Sequence, residues 1–338
     1  MWLLKCLKPD HNTIANFRRD NPKAIKKVFR ATVQIAEHFD LIGGKLIAGD
    51  STKLRAQNSK KNNFNQAKID RHIAYLDNKL EEYTRTLAES DGDNQQIIRD
   101  EIKKQQARKD NYEDLEMQLK ESGENQISIS DPESRQIMIR NNITEVAYNV
   151  QTTVDAKNNI PIDYKVTNQN DSRAMGNMVQ RAKSILGTNE FTALYDKGYH
   201  TGSELKTAQE LGIETIVAIP DVPVTSQAPD HDYNYERFKY DPSEDTYTCP
   251  QGEVLRTNGK WYNTHGRRNI FISFKQYKTK ACKSCPVRIK CTRSKTARLI
   301  ERSIYAENYE RNRKNKEEKE QLYRQRQAIA EHPFGTIK

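Results

Sequence analysis

The most regular hydrophobic pattern in the chain lies between residues 65 and 122, where apolar residues recur in alternating steps of four and three. The first half carries Ile69, Ile73, Leu76, Leu80, Tyr83 and Leu87, and the second carries Ile98, Ile102, Tyr112, Leu115 and Leu119. Asp91-Gly92-Asp93 between the halves is typical of a turn. A seam this narrow predicts an antiparallel helical hairpin of the coiled-coil type, inserted at 62–125. It remains open whether the hairpin is a structural spacer or a dimerisation arm.

Shorter patterns on either side of this segment predict a mixed α/β sheet. Strands are predicted at 45–50, 146–155, 160–168, 191–196 and 214–220. Helices are predicted at 10–40, 172–186, 202–211 and 304–331. The second and third strands should pair as a hairpin, and the polar stretch that follows residue 50 is predicted to be a loop. Strands followed by alternating helices and strands indicate an α/β fold.

Residues 221–300 show little periodicity and contain four of the five cysteines. These four are Cys249, Cys282, Cys285 and Cys291. A close C-x2-C pair together with two further thiolates completes a closed tetrahedral zinc site, which indicates a structural role. The alternatives are four separate reduced thiols, or a site in which His265 replaces one cysteine.

The net charge of the chain indicates a polyanionic partner. The 338 residues carry a formal net charge of +10, and 30% of them are charged. Basic segments at 265–269, 275–280 and 288–298 surround the cysteines and could grip phosphates, or could simply be solvated. No apolar run reaches the roughly 20 residues of a membrane helix. We therefore expect a soluble, intracellular protein.

Three carboxylates indicate phosphoryl-transfer chemistry. Asp50 and Asp196 stand at the ends of predicted strands, where catalytic groups gather in α/β sheets, and Glu331 lies on the last predicted helix. Hard oxygen ligands from distant segments suit a pair of Mg²⁺ ions that activate the attacking oxygen and stabilise the leaving one. The alternative is that these acids are helix caps or loop anchors.

Several stretches, taken in order, resemble the DDE transposases of bacterial insertion sequences, in the branch with a cysteine-rich segment before the last catalytic acid. They are KPDHNTIANFRRDN, IAGDSTKLRAQNSK, DPESRQIM, AYNVQTTVD, KVTNQNDSRAM, LYDKGYHTGSEL, YTCPQGEVL, CKSCPVRIKCT and EHPFGTIK. Many relatives have glycine in place of Ser51. The resemblance covers nearly the whole chain.

This resemblance implies a ribonuclease H-like fold in which Asp50, Asp196 and Glu331 bind two Mg²⁺ or Mn²⁺ ions. It implies cleavage of double-stranded DNA at element ends by water and strand transfer by a 3′-hydroxyl, without a covalent protein intermediate. The implied division is a remnant of an N-terminal helical DNA-binding region (1–44), a catalytic domain (45–220 and 301–338), the hairpin insertion (62–125) and a cysteine-rich zinc insertion (221–300).

The resemblance also supplies candidate DNA contacts. These are Lys53, Lys197, Arg324, Arg326 and Lys338. Relatives carry Tyr, Arg, Glu and Lys at set helical intervals, and here Glu331 and Lys338 are two helical turns apart. Arg326 lies five residues before Glu331 instead of four, so its role and that of Tyr323 depart from the pattern. Pro333 is expected to kink the helix after Glu331.

Relatives also have a helical region before the first matching block and further helix after the last lysine. The resemblance therefore implies a chain shortened at both ends, located in the bacterial cytoplasm on the nucleoid and acting as a homo-oligomer on DNA. The alternatives to an active transposase are a remnant that binds DNA without cutting it and a metal-dependent nuclease without strand transfer.

Overall fold

The computed structural model describes residues 8–90, 94–140, 143–265 and 271–337. Three expectations fall outside these ranges: the turn at 91–93, most of the basic segment 265–269, and Lys338 as a DNA contact.

The N-terminal part forms two helices where one was predicted. Helix α1 spans His11–Asp20 and α2 spans Pro22–His38. Asp10 accepts a hydrogen bond from the Thr13 N–H at 2.7 Å, which makes it the N-cap of α1. The break falls at Asn21 because Pro22 cannot continue the hydrogen bonding of α1 but fits the first turn of a new helix.

Strand β1 spans Leu46–Arg55, so the prediction that the chain becomes a loop after Asp50 is wrong. β1 pairs with a long antiparallel strand over its whole length, out to Arg55 opposite Ala147. The polar residues Ser51 and Lys53 lie opposite Gln151 and Asn149, which are buried. Asp50 therefore lies in the middle of a strand, where its backbone pairs with Thr152.

Two antiparallel helices occupy the segment for which the helical hairpin was predicted. A two-strand ribbon of β2 (Asn63–Phe64) and β3 (Ile127–Ser128) closes its base. Helices α3 (Gln66–Glu89) and α4 (Asn94–Ser122) run antiparallel between them. Ion pairing joins Asp77 to Lys109 at 2.7 Å. The predicted seam positions are buried or half-buried, which confirms that they face the partner helix.

The central sheet is mixed, as predicted. Its further elements are β4 (Arg135–Arg140), β5 (Ile143–Asp155), β6 (Ile160–Thr167), α5 (Met175–Leu186), β7 (Thr192–Tyr195), α6 (Gly202–Glu210) and β8 (Glu214–Val217). The strand order is β4-β5-β1-β7-β8, with β6 on the same edge of β5 as β4. β7 is parallel to β1 and β8, whereas β5 is antiparallel to β1.

Alternate residues of the central strands face two different cores. Ile47 and Ala193 face α2, α5 and α6, while Ala48 and Leu194 face the C-terminal helix of the chain. Gly49 lies on the first face, where a Cβ would overlap the ring of Tyr195. Residues at even positions of β1 and β7 thus share one face of the sheet.

Residues 221–300 contain a five-stranded antiparallel sheet that periodicity did not predict. Its strands are β9 (Lys239–Asp241), β10 (Thr246–Thr248), β11 (Val254–His265), β12 (Phe271–Lys278) and β13 (Ile300–Ser303). Burial raises the pKa of Asp245 within this sheet, but hydrogen bonds from Lys275, Tyr277 and Tyr240 outweigh it and lower the pKa to about 2. Apart from the short α7 (Arg288–Cys291), the cysteine segment that follows β12 is irregular.

The last part of the chain forms three helices, which corrects the prediction of one long helix at 304–331. They are α8 (Ala306–Glu318), α9 (Glu320–Tyr323) and α10 (Arg326–Ile337). α10 continues through Pro333 and does not end there. None of the helices in the described ranges is long and apolar enough to cross a membrane.

Candidate active site

Asp50 lies on β1, and Asp196 is the first residue after β7, the parallel neighbour of β1, close enough for its charge to act on Asp50. The register pairs Ala48 with Leu194, and two residues further along both strands the same offset sets Asp50 level with Asp196. Neighbouring strands are about 4.8 Å apart, and residues two apart point to the same face. Both carboxylates therefore point to the face that holds Ala48 and Leu194, which is the face that α10 covers.

The turn after β7 fixes the second carboxylate. Asp196 has extended backbone and caps a short 3-10 turn, Lys197–Tyr199, by accepting a hydrogen bond from the Gly198 N–H at 2.8 Å. This bond occupies one carboxylate oxygen, Oδ1. The sequence reason is the Asp-Lys-Gly order, because an aspartate before a turn is a strong cap.

The charges of the two acids influence each other. Burial raises the pKa of Asp50, and the nearby negative charge of Asp196 acts in the same direction. The Ser51 N–H, 2.7 Å from Oδ1, and the guanidinium of Arg326 oppose this rise. Two half-buried carboxylates at this spacing repel each other, so the site favours a cation between or beside them.

Arg326 supplies a positive charge to this pair. Its Nη1 donates to Asp50 Oδ2 at 3.2 Å, and its side chain is 14% exposed. Burial lowers the pKa of Arg326, but Asp50 and then Tyr323 and Asp196 raise it more strongly. The interruption between α9 and α10 falls at residues 324–325, directly before Arg326. Arg326 lies five residues before Glu331, whereas relatives have the arginine four residues before. The break between α9 and α10 gives a physical reason why Arg326 still reaches Asp50.

Glu331 lies on α10 but is not joined to the aspartate pair. The preceding residues Ile329 and Ala330 are buried against Ala48 and Leu194, which brings α10 onto the correct face of the sheet. The Glu331 side chain is exposed, and its Oε2 accepts from Gln327 Nε2 at 3.3 Å. Within the described residues, no three acidic, histidine or cysteine side chains are grouped as metal ligands.

The pair itself nevertheless fits a divalent ion. Oxygen donors from two carboxylates suit Mg²⁺ or Mn²⁺. A guanidinium already lies against Asp50 Oδ2, which shows that this side of the pair accepts a cationic group. Asp50 and Asp196 are therefore the residues that could hold a metal, and Glu331 would have to move towards them to contribute.

Asp171 is a half-buried acid that sequence reasoning missed. Its oxygens accept from Ser51 Oγ at 2.7 Å, Lys53 Nζ at 2.6 Å, and the amides of Asn149 and Gln151 at 2.8 Å each. Burial opposes its ionisation, but the charge of Lys53 and these hydrogen bonds hold the pKa of Asp171 below its usual range. The only sequence signal was its place in the KVTNQNDSRAM stretch.

The Asp171 network braces both strands that carry the aspartate pair. Ser51 and Lys53 follow Asp50 on β1. Gln151 on β5 accepts from the hydroxyl of buried Tyr199, which belongs to the turn after Asp196. Burial raises the pKa of Tyr199, so its hydroxyl stays protonated and can donate. A single carboxylate thus connects the residues beside Asp50 with those beside Asp196.

Replacing Asp171 with asparagine should lower the free energy of unfolding by about 3 kcal/mol. The amide cannot accept four hydrogen bonds, and Lys53 would keep a mostly buried charge without its partner. Urea unfolding followed by circular dichroism measures the loss. Asp221→Asn, at a carboxylate that is 96% exposed, is the matched control and should change little. Equal stability of the two variants would contradict this role.

The four cysteines line one small cavity of about 30 Å³. All four are free and partly buried. Burial raises the pKa of the Cys291 thiol, Arg298 lowers it, and the other three cysteines raise it, so the sulfur atoms influence one another. Within the described residues, no three of the thiols are grouped closely enough to hold a metal ion. Four sulfur donors at one cavity nonetheless match the ligand set of a structural zinc site.

The predicted DNA contacts have different surroundings. Lys53 is 16% exposed and paired with Asp171, whereas Lys197 and Arg324 are 64% and 67% exposed. Arg324 lies 3.6 Å from Glu320, and Arg326 points to Asp50. Of the four predicted contacts within the described ranges, Lys197 and Arg324 are the two with side chains open to a ligand.

Comparison with known proteins adds one finding. Residues 248–338 match the family model described as a transposase DDE domain. This segment, about a quarter of the chain, contains the four cysteines and Glu331 but neither aspartate of the pair. The match supports a DDE transposase, a kind of enzyme that acts on DNA and depends on divalent metal ions. No curated protein and no solved structure gives a significant match to the chain.

Proposed function

We propose that this chain is a DDE transposase of a bacterial insertion sequence that cuts and joins DNA by two-metal phosphoryl transfer. The observation that carries the proposal is that Asp196, directly after β7, lies near enough to Asp50 on the parallel strand β1 for its negative charge to raise the pKa of Asp50. The match of residues 248–338 to a transposase DDE domain supports it from a separate part of the chain. The α/β sheet would then be of the ribonuclease H-like type.

The proposed chemistry assigns specific tasks to residues of the chain. Bound Mg²⁺ ions would activate an attacking water or 3′-hydroxyl and stabilise the leaving oxygen. Asp50 and Asp196 would hold the ions, and the Ser51 and Gly198 N–H groups keep their carboxylates oriented. Arg326 offsets the charge of the pair before the metal binds and can turn to a DNA phosphate afterwards, because a guanidinium suits both partners.

Glu331 is proposed as the third ligand. It follows buried Ala330 on α10, so α10 packing already holds its backbone over the face with the aspartates. A change of side-chain rotamer, or a small shift of the helix on binding metal and DNA, would complete the triad. Residues 45–220 and 301–338, which flank the cysteine-rich insertion, would then form one catalytic domain because each contributes ligands to the same metal site.

The remaining proposed contacts serve double-stranded DNA. Lys197 and Arg324 are exposed and available to phosphates, while Lys53 first has to leave Asp171. Lys338, seven residues after Glu331 in the sequence, is also proposed to contact a phosphate. We further propose that Cys249, Cys282, Cys285 and Cys291 bind a structural Zn²⁺ that stiffens the segment after β12. The active form would be a homo-oligomer on paired DNA ends.

A second candidate function is DNA binding without cleavage. The observation that favours it is the exposed position of Glu331, outside any ligand group. A chain that cannot bring Glu331 to the pair would still present its basic surface to DNA. This alternative and the enzyme differ in whether a phosphodiester bond is broken.

Product analysis of end-labelled DNA distinguishes these candidates. The full chain, incubated with Mg²⁺ and a duplex carrying an element end, should produce nicks that end in a 3′-hydroxyl, and EDTA should abolish them. Because water is the nucleophile, no DNA should become covalently attached to protein. Binding of the duplex without any nick would favour the second candidate, and a covalent protein–DNA adduct would contradict the proposed chemistry.

A further inference from the structure

A groove of about 680 Å³ opens at the base of the helical hairpin. The 3-10 turn Lys60–Asn62 forms one wall, and α3 and α4 form the others. Its lining includes four cationic side chains, from Lys60, Lys61, Lys68 and Arg108. Among the described residues, the lining includes no aspartate or glutamate. We call this feature the hairpin groove.

One of the four cations builds the groove, and three are left for a ligand. Lys68 Nζ donates to the carbonyls of Lys60, Lys61 and Asn63 at 2.7–2.9 Å, so its ammonium is fully used in holding the turn. Lys60 is 49% exposed, and its acidic neighbour Glu145 is 3.8 Å away, a weak surface pair. Lys61 and Arg108 are exposed, and Arg108 donates to neutral Gln105 at 2.9 Å.

The floor of the groove is aromatic and uncharged. The rings of His72 and Tyr112 are stacked, with centroids 4.7 Å apart and planes within 3°. Burial, followed by the charges of Lys68, Arg71 and Arg108, lowers the pKa of His72, so the ring is neutral at pH 7. Apart from the weak Lys60–Glu145 pair, no acidic side chain offsets these positive charges within the described lining, so an anion bound in the groove would reduce their mutual repulsion.

A larger cavity, of about 900 Å³, has the opposite charge. It lies beside α8 and the five-stranded sheet, and its acidic lining residues are Asp221, Glu236, Glu301, Glu307 and Glu310. Arg302 and Arg313 are its only arginines in the described ranges, and it holds no lysine there. A phosphate backbone would be repelled from that cavity, so the hairpin groove stands out as a basic concavity.

From this contrast we propose that the hairpin groove binds the phosphodiester backbone of double-stranded DNA. The inference rests on the proposed function in its choice of DNA as the polyanion. Strand β1 runs from Asp50 to Arg55 towards the turn that begins at Lys60. Five strand residues span about 17 Å, which corresponds to about five base pairs of duplex at 3.4 Å each. A duplex that reached from the aspartate pair along β1 to this turn would make the hairpin a DNA-binding arm.

Charge removal in the groove tests this assignment. The variant Lys60→Gln/Lys61→Gln/Arg108→Gln should bind a labelled duplex at least about tenfold more weakly at 0.15 M salt, and the slope of log K against log salt should become shallower by roughly 2 to 3. The matched control is Arg85→Gln/Arg99→Gln/Lys103→Gln, which removes the same charge from exposed positions nearer the tip of the hairpin. It should lose less than about threefold, since it changes only net charge.

The binding measurements are made without divalent metal ions, so the duplex is not cleaved and only its affinity is measured. A conservative variant, Lys60→Arg/Lys61→Arg/Arg108→Lys, should bind like the wild type, and circular dichroism should show unchanged helix content in all variants. Equal losses in the groove and control variants would overturn the inference while leaving the proposed function in place. Unchanged affinity in the groove variant would do the same. Failure of the wild type to bind duplex DNA would overturn both.

Discussion

Asp196→Asn is expected to lose metal-dependent DNA nicking by at least about a thousandfold, because metal ions supply several kcal/mol of charge stabilisation in phosphoryl transfer. Asparagine has nearly the same shape and can still accept from the Gly198 N–H, so the turn after β7 should be kept. The duplex affinity should change by less than about threefold, because phosphate contacts use basic side chains elsewhere. Single-turnover nicking of a labelled duplex measures the rate.

Asp221→Asn is the control for this prediction. Asp221 is an exposed carboxylate 3.5 Å from Lys197, so its replacement removes a negative charge from the same region without touching the aspartate pair. It should cut DNA at the wild-type rate. Nicking by Asp196→Asn at a comparable rate would contradict the role given to Asp196, whatever the outcome for Asp50.

Cys285→Ser is expected to abolish the binding of one zinc ion per chain and to loosen the segment after β12. Structural zinc contributes about 10–16 kcal/mol of apparent binding free energy in small zinc domains, and a hydroxyl is a poor replacement for a thiolate. The only regular elements in the described part of the cysteine segment after β12 are the 3-10 helix Lys280–Lys283 and α7, so little regular structure stabilises it. Elemental analysis after dialysis measures the zinc, and limited proteolysis between residues 280 and 298 reports the loosening.

The fifth cysteine provides the matched control. Cys6 lies outside the described residues and far from the other four in sequence. Cys6→Ser should keep zinc and protease resistance. A wild-type chain purified without zinc, or equal zinc content in Cys285→Ser, would show that the four thiols line their cavity for another reason.

Periodicity predicted those parts of the fold that bury one face of a regular element. The seam from Ile69 to Leu87 predicted α3, because a two-helix hairpin shows its contact pattern directly in the sequence. The β5–β6 hairpin was likewise visible from two apolar runs with a short polar link. By contrast, β1 continues past Asp50 through polar residues whose partners come from β5 and from Asp171, and no local pattern records those partners.

The five-stranded sheet was missed for a related reason. Its core includes Tyr247 and Tyr277, with Tyr235 and Tyr240 packed against it, and the hydroxyls of Tyr277 and Tyr240 donate to Asp245 at 2.6 Å and 2.9 Å. Because tyrosine has both an apolar ring and a polar hydroxyl, these positions do not produce a clear hydrophobic periodicity in the sequence. The register that sets Asp50 level with Asp196 is also a property of strand pairing, so the sequence could nominate both acids but could not show them adjacent.

Two features bear on how the site would work. Arg326 lies against Asp50, although its spacing from Glu331 departs from the related pattern, since the chain leaves helical geometry between α9 and α10. Glu331 stays exposed in the same arrangement. Metal binding that displaces Arg326 from Asp50 and draws Glu331 inwards would couple assembly of the site to the arrival of its ligands.

Binding of Mn²⁺ to the zinc-saturated chain tests the central claim, that Asp50 and Asp196 form a divalent-metal site. Mn²⁺ takes the same oxygen ligands as Mg²⁺, and the fall in the electron paramagnetic resonance signal of the free ion counts bound metal. We predict saturable binding by the wild type and by Asp221→Asn, and its loss in Asp50→Asn and in Asp196→Asn. Undiminished Mn²⁺ binding in both aspartate-pair variants would contradict the account.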